Sequence, residues 1–245
     1  MDKDNALNLI QDTFNYPFVE DNYVKFAKNL IDDLIFNSNS FWKNNSELPT
    51  NIKSRVNKFK NFGSYRYNNG EKIAIVAVEL DSENSVVKSR LLQRDFSKWF
   101  IEKNDLDAIL VSFYAKSYED WRFSLIKQEL NRTITDKGKI KVSRDITPLR
   151  RYSYIVGKNE PNHTAKAQLS PLLLDENRNP NLDELIKAFS VENVTRNFYK
   201  DYTSIFYKFE KYFTDNYELS IKEIRSFTQS LFNRLMFTRF IEKKN

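Results

Sequence analysis

Residues 68–80 read NNGEKIAIVAVEL, and this stretch decides the fold class. Asn69 and Gly70 tolerate the positive backbone angles that a tight hairpin turn needs. The segment 72–80 that follows is apolar on both faces, which is typical of a strand covered from both sides. Together with residues 59–67 before the turn, the pattern predicts a β-hairpin whose second strand lies in the middle of a sheet.

Apolar residues at helical spacing surround this hairpin. They predict helices at 5–14, 21–35 and 85–103, whereas the polar segment 36–51 is predicted to be a loop. Further strands are predicted at 107–115, 121–130, 139–143 and 151–156, with a second hairpin turn at Gly138. The strand 121–130 alternates as a half-exposed strand does. The fold class is therefore α+β, a mixed sheet with flanking helices.

The remaining sequence predicts helices only. One spans 163–170 and stops at Pro171, a second spans 181–188 with Asn181 as its N-cap, and long amphipathic helices follow at 191–215 and 220–243. Ser220 and Glu223 have the spacing of a capping box. We therefore predict an α+β domain at 1–157 and a helical region at 158–245. The last helix has no C-cap glycine, so the chain is either a fragment of a longer protein or ends in a frayed helix.

Composition excludes several classes of protein. The 245 residues include no Cys and one His, His163, so disulfides, thiolate catalysis and zinc sites with two His ligands are excluded. His163 is expected to have a structural role at a helix start. No apolar run is long enough to span a membrane, and no signal peptide is recognisable, which predicts a cytoplasmic protein. The net charge of +6 favours polyanionic partners.

The order helix, strands, helix, strand is what a PD-(D/E)xK nuclease core needs. Such a core holds Mg²⁺ with two acids and uses a lysine to orient the attacking water. Glu79 ends the central strand, where one acid belongs, but Asp81 occupies the lysine position and the preceding strand offers no Asp there. We consider Glu79 and Asp81 as metal ligands with Lys88 or Arg90 in place of the lysine. Alternatively, both carboxylates face solvent at a strand end.

Two groups of basic residues are candidates for nucleic-acid binding. Arg90, Arg94 and Lys98 recur every four residues on one helix face, which could follow a phosphate backbone or be a solvated face. A second group brackets a predicted strand and alternates with Tyr152 and Tyr154, which suits phosphate contact with base stacking, or a strand with one face on the core. Its basic members are Arg150, Arg151 and Lys158.

Several stretches carry a resemblance to a known family. They are residues 107–128 (DAILVSFYAKSYEDWRFSLIKQ), 147–168 (TPLRRYSYIVGKNEPNHTAKAQ) and 228–244 (TQSLFNRLMFTRFIEKK), with similar stretches at 4–14 and 182–206. In this order they resemble the N-terminal region of type IIG restriction-modification enzymes, which fuse a nuclease to an adenine-specific DNA methyltransferase. The resemblance covers nearly the whole chain.

The resemblance implies a nuclease-like domain followed by the start of a helical connector to a methyltransferase domain. The Asn-Pro-Pro-Tyr motif and the glycine-containing loop that such a methyltransferase needs are absent from the sequence, so SAM would bind only in another part of the parent protein. The expected partners are double-stranded DNA and that methyltransferase domain, and the expected metal is Mg²⁺. The alternative is a non-catalytic scaffold that docks onto a methyltransferase or another subunit through its helical part.

Overall fold

A computed structural model describes residues 1–37, 41–128, 131–134, 140–143, 149–174 and 179–244. The strands are β1 Ile35–Phe36, β2 Lys43–Asn44, β3 Val56–Arg66, β4 Lys72–Leu80, β5 Ala108–Tyr114, β6 Asp120–Lys127, β7 Asn131–Ile134, β8 Ile140–Ser143 and β9 Arg150–Gly157. The helices are α1 Lys3–Phe14, α2 Glu20–Leu30, α3 Thr50–Lys53, α4 Glu83–Val87, α5 Arg90–Asn104, α6 His163–Leu174, α7 Leu182–Phe189, α8 Val191–Asn216 and α9 Ile221–Lys244.

The chain divides into two compact units, Met1–Ser190 and Val191–Asn245. The first is an α+β unit that includes α6 and α7, so it extends beyond residue 157. The second consists of α8 and α9. The predicted fold class, a mixed sheet with flanking helices followed by a helical part, is confirmed.

The main sheet of the first unit is mixed. Its order is β1-β3-β4-β5-β6-β9, with β2 also paired to β3. The β3–β4 hairpin turns at Gly70, whose φ of 87° is the positive angle expected from the Asn-Gly sequence. Strands β4 and β5 are parallel, because α4 and α5 form the crossover between them. A separate ribbon pairs β7 with β8, and the turn predicted at Gly138 lies outside the described residues.

Helices cover both faces of the sheet, which explains why residues 73–78 of β4 are all apolar. Ile73, Ile75 and Ala77 face the layer that contains α1, α2, α6 and α7. The alternate residues Val76 and Val78 face the layer of α3, α4 and α5. The sheet is therefore the middle layer of three, and its central strands are withdrawn from water on both sides.

Strand β6 differs from the prediction of a half-exposed strand. Residues 120–126 are all buried, because Phe123 packs among the aromatic rings on the α1 side while Ile126 belongs to the core on the α5 side. The polar members of this strand, Asp120, Arg122 and Ser124, produced the alternating pattern. They are buried polar groups with hydrogen-bond partners.

The predicted helix 85–103 is two helices, α4 and α5. The last backbone carbonyls of α4 accept hydrogen bonds from side chains. Arg122 donates to the carbonyls of Val86 and Val87. Gln93 Nε2 donates to the carbonyls of Ser85 and Val86. Because side chains satisfy these carbonyl groups, the helix can stop and restart two residues later.

Two other predicted boundaries also differ. Helix α6 contains Pro171 and continues to Leu174. The segment predicted as a loop at 36–51 contributes two short strands that both pair with β3, a 3₁₀ turn at Asn45–Glu47 and the start of α3. These short elements were too brief to leave a periodic pattern.

The second unit is a pair of helices joined by a short loop. The ring of Phe232 in α9 lies 5.4 to 5.7 Å from the rings of Tyr202, Phe206 and Phe209 in α8. The capping box at the start of α9 is confirmed, because Ser220 N–H donates to Glu223 Oε2 at 2.9 Å and Glu223 N–H donates back to Ser220 Oγ.

Candidate functional site

Glu79 lies where the parallel strands β4 and β5 both end and β3 begins. It faces the α1 side of the sheet, and only 4% of its surface is exposed. Its carboxylate lies 3.3 Å from Lys58 Nζ and 3.8 Å from Lys116 Nζ, and it accepts hydrogen bonds from the Tyr114 hydroxyl at 3.2 Å and from Asn57 Nδ2 at 3.3 Å. The carboxyl ends of parallel strands are a common place for ligand sites.

A second carboxylate reaches the same end of the sheet from α2. Glu20 accepts a hydrogen bond from Trp42 Nε1 at 2.9 Å and pairs with Lys60. Lys58 Nζ lies 4.3 Å from the centre of the Trp42 ring, which links the two ion pairs. We call Glu20, Lys58, Lys60, Glu79 and Tyr114 the sheet-end cluster.

Tyr114 is the hydroxyl group of the sheet-end cluster, and its surroundings shift its pKa. Burial raises the pKa of the Tyr114 hydroxyl, and the negative charge of Glu79 and then that of Glu20 raise it further. The ring of Phe18 stacks on Tyr114 with 4.3 Å between ring centres. Tyr114 is therefore held as a neutral donor to Glu79, a carboxylate that Lys58 also pairs with.

Asp81 and Lys88, the other predicted members of a nuclease site, lie apart from these contacts. Asp81 is exposed and accepts hydrogen bonds from Ser82 and Ser85 at the beginning of α4. Lys88 is exposed just after α4 and forms no ion pair with any described residue. Of the two carboxylates predicted to face solvent as an alternative, Asp81 does so and Glu79 does not.

No group of three Asp, Glu or His side chains that could hold a metal occurs within the described residues. The carboxylates of the sheet-end cluster are Glu20 and Glu79. Both carry lysine counter-charges, so a Mg²⁺ ion would have to displace ammonium groups to reach them. The residues present therefore fit a Mg²⁺ centre poorly.

Arginine side chains from α5 and β9 converge on the opposite side of the sheet. Arg90, Arg94 and Arg151 line a groove of about 350 Å³, whose walls are completed by Leu91, Ile126 and Leu149. We call this feature the arginine groove. The sheet pairing explains the convergence, because Arg151 lies opposite Ile126 of β6, and α5 packs over the same face.

A fourth arginine lies behind the groove. Arg122 is buried and donates to the last carbonyls of α4. Burial, followed by the charges of Arg151 and Arg90, lowers its pKa to about 10. The pKa of Arg151 is lowered by burial and by Arg90, although Arg151 Nη1 donates to Gln93 Oε1 at 2.8 Å. Among the described residues, Arg90, Arg122 and Arg151 form no ion pair with a carboxylate.

The remaining predicted basic residues are arranged differently. Along α5, Arg94 contacts its neighbour Asp95 at 3.3 Å, and Lys98 pairs with Glu102 at 3.8 Å. The residues that bracket β9 lie at opposite ends of that strand. Arg150 is exposed at its start, whereas Lys158 follows its end and pairs with Glu119 at 2.7 Å. The structure therefore brings together Arg90, Arg94 and Arg151 but not Lys98 or Lys158.

The tyrosines that alternate with these arginines pack on the core. Tyr154 lies 5.1 Å from Phe189 between ring centres, and its hydroxyl donates to the Ala188 carbonyl. Tyr152 packs against the same core. Tyr152 and Tyr154 therefore lie on the core face of the strand, as one of the two interpretations predicted, whereas Arg151 lies on the other face.

Sequence reasoning missed the residues that complete both sites. Arg122 stands between aromatic residues in a buried strand, and nothing in the local pattern marks it as a neighbour of Arg151. Lys58 and Lys60 are two residues apart in a strand and so share a face, a signal that could have located the sheet-end cluster. His163 is exposed at the first position of α6, and its structural role stays a prediction.

Among the helices that the structure describes, none combines the length and apolar character needed to cross a membrane. No protein-family model, no curated protein and no solved structure matches the chain.

Proposed function

We propose that this chain binds double-stranded DNA through the arginine groove, as the nuclease-like N-terminal region of a bacterial restriction-modification protein of the type IIG kind. The observation that carries the proposal is the convergence of Arg90, Arg94 and Arg151 on one groove, where neither Arg90 nor Arg151 has a carboxylate partner among the described residues. The resemblance of the sequence to that family gives the proposal its biological setting, which is cytoplasmic defence against phage DNA. SAM would bind in the methyltransferase part of such a protein.

The charge distribution argues for an anionic partner. Like charges that are brought together in a partly buried place repel one another and oppose folding. Bound phosphates offset this repulsion, because arginine donates two parallel hydrogen bonds to phosphate oxygens. Exposed Lys88 lies two residues before Arg90 and adds a positive charge close to the groove in sequence.

The architecture supports a nuclease-like origin. The order α2, β3–β4 hairpin, α5 and parallel β5 is the order of helix, strands, helix and strand that a PD-(D/E)xK core uses. Glu79 stands where one motif acid belongs. Because two lysines already neutralise Glu79 and no third acid joins it among the described residues, we propose that the chain binds DNA without cutting it.

Duplex binding by the purified chain tests the proposal. Fluorescence anisotropy with a labelled 20-base-pair duplex should give saturable binding that weakens about tenfold or more in the variant with Arg90→Gln and Arg151→Gln. Lys98→Gln is the matched control, because Lys98 lies on the same helix but is paired with Glu102. Absence of binding, or equal affinity of all three proteins, would refute the proposed function.

Cleavage is tested separately. Plasmid DNA incubated with the chain and Mg²⁺ should remain uncut. Cutting that disappears in Glu79→Ala while binding remains would instead establish a Mg²⁺-dependent endonuclease built on the sheet-end cluster.

The helical unit favours a second candidate function, an interaction scaffold. Although Phe232 packs against α8, other large apolar residues of α9 are exposed, among them Leu235, Phe237 and Phe240. Exposed aromatic area of this kind is typical of a docking surface for another domain or subunit. If the scaffold is correct, the chain should self-associate through this surface, and replacing Leu231 and Leu235 by Asp should yield monomers in light scattering. A wild-type chain that is monomeric would count against it.

A further inference from the structure

The arginine groove has a shape that ordinary duplex binding does not require. A continuous phosphate backbone is a convex ridge that surface cations can follow. The groove is instead concave, and its volume of about 350 Å³ falls in the range of small-ligand pockets, roughly 300–1,000 Å³. It is therefore large enough to receive a chain end rather than only to touch a passing backbone.

The charge in the groove also exceeds what one phosphodiester offers. A phosphodiester carries a single negative charge, whereas a phosphomonoester carries about −1.5 to −2 at pH 7 and has three acceptor oxygens. Arg90 and Arg151 approach from different elements, and neither is paired with a carboxylate among the described residues. Two guanidinium groups offer enough donors for the three oxygens of a terminal phosphate, even with Arg151 Nη1 bonded to Gln93 Oε1.

Local backbone and apolar groups are consistent with the same ligand. Arg90 is the first residue of α5, so the positive end of a 15-residue helix lies at the groove. The side chain of Ser89 does not cap this helix, because it is bonded to Arg55 and to the Asn84 carbonyl. The apolar walls formed by Leu91, Ile126 and Leu149 offer contact for the sugar or base next to a terminal phosphate.

We infer that the arginine groove is a binding pocket for a phosphomonoester, and specifically for the terminal phosphate of a DNA end. This inference rests on the proposed DNA-binding function and narrows its substrate class from duplex DNA in general to DNA with a phosphorylated end. Arg90 and Arg151 bind the phosphate, and Arg94 borders it.

Matched duplexes test the inference. Three 20-base-pair duplexes of one sequence, carrying 5′-phosphate, 3′-phosphate or only hydroxyl ends, are compared by competition anisotropy. At least one phosphorylated form should bind about tenfold more tightly than the hydroxyl form. Arg90→Gln should abolish that preference, and because Arg90 is exposed this change leaves the packing of the fold intact. Lys98→Gln should retain it.

A second measurement tests whether the groove binds phosphate anions that are not attached to DNA. Thermal unfolding of the chain with and without pyrophosphate, at constant ionic strength, should show a rise in Tm that Arg90→Gln removes. Equal binding of all three duplexes would overturn the inference and leave the proposed function standing. Failure of every duplex to bind would overturn the proposed function. In that case a pyrophosphate effect would assign the groove to small phosphate anions that are not attached to DNA, and its absence would refute the pocket as well.

Discussion

The carboxylate of Glu79 lies 3.3 Å from Lys58 Nζ, and the two residues are direct partners across the β3–β4 ladder. A cation thus faces the one nearly buried acid at the end of the central strand. In a Mg²⁺-dependent nuclease that acid would face a metal and further carboxylates. The Lys58–Glu79 pair therefore holds the sheet end together, and it is the physical reason for expecting binding without cleavage.

Removing the charge of Glu79 should destabilise the fold. Glu79→Gln leaves Lys58 without its anion in a place that is partly closed to water, and the expected loss is about 1–2 kcal/mol in the free energy of unfolding. Urea denaturation measures it. Glu102→Gln is the control, because Glu102 pairs with Lys98 on the surface and should lose less than about 0.5 kcal/mol. Equal losses in the two variants would show that the Lys58–Glu79 pair contributes no more to the free energy of unfolding than an exposed ion pair does.

Tyr114 should make the fold sensitive to alkaline pH. Burial and Glu79 raise its pKa in the folded chain above the ordinary value near 10, so unfolding above pH 10 releases a proton that the folded state retains. The contribution of Tyr114 to the free energy of unfolding is therefore constant below about pH 10 and falls as the pH rises further.

Tyr114→Phe should make that decline shallower by up to about 1.4 kcal/mol per pH unit, the value for one proton. Urea titrations between pH 8 and 11 measure the slope. Tyr212, which is exposed on α8, provides the control, since Tyr212→Phe should leave the slope unchanged. An unaltered slope in Tyr114→Phe would mean that its hydroxyl ionises as easily in the folded chain as in the unfolded one.

Repulsion between the arginines at the groove should lower the free energy of unfolding when no anion is bound. Arg90→Gln removes one of the charges that lower the pKa of Arg122 and Arg151, so the free energy of unfolding should rise by about 0.5 kcal/mol. For a chain of this size the corresponding rise in Tm is roughly 1–2 °C. Lys98→Gln loses an ion pair and should show no rise. If Arg90→Gln lowers Tm in low-salt buffer, the repulsion argument fails.

Two glycines should differ sharply in their tolerance of a side chain. Gly157 has φ of 140°, and a Cβ there would approach the Asp120 Cα and the Glu119 carbonyl oxygen to about 2.5–2.6 Å. Gly70 also has a positive φ, 87°, but a Cβ would meet open space. We expect Gly157→Ala to cost more than about 2 kcal/mol and Gly70→Ala about 1 kcal/mol, measured by denaturation midpoint. Similar costs would contradict the close approach of β9 to the turn before β6.

The sequence predicted the parts of the fold that local chemistry determines. Gly70 marked the hairpin, Asn181 and Ser220 marked the starts of α7 and α9, and the apolar run of β4 marked a strand covered on both faces. Each of these signals is complete within a few residues. The break between α4 and α5 could not be predicted in this way, because it depends on Arg122, which is more than thirty residues away in sequence.

The same distinction separates the parts of the candidate sites. Glu79 was recognised because it ends a clear strand, and Arg90, Arg94 and Arg151 were recognised as basic residues. Their grouping with Arg122 was not predictable, because it requires the register of β6 against β9. The pairing of Glu79 with Lys58 likewise requires the register of β3 against β4, and turn chemistry alone does not fix the bulges within that hairpin.

The salt dependence of duplex binding tests the central claim most directly. Binding constants measured between 50 and 300 mM NaCl give a slope of log K against log salt of about −0.9 for each phosphate that the protein neutralises. If Arg90 and Arg151 contact DNA phosphates, the variant with both changed to Gln should have a slope shallower by about 1 when both arginines bind one terminal phosphate, and by about 2 when each binds its own. A double variant with the wild-type slope would place the DNA elsewhere on the molecule and contradict the assignment of the arginine groove.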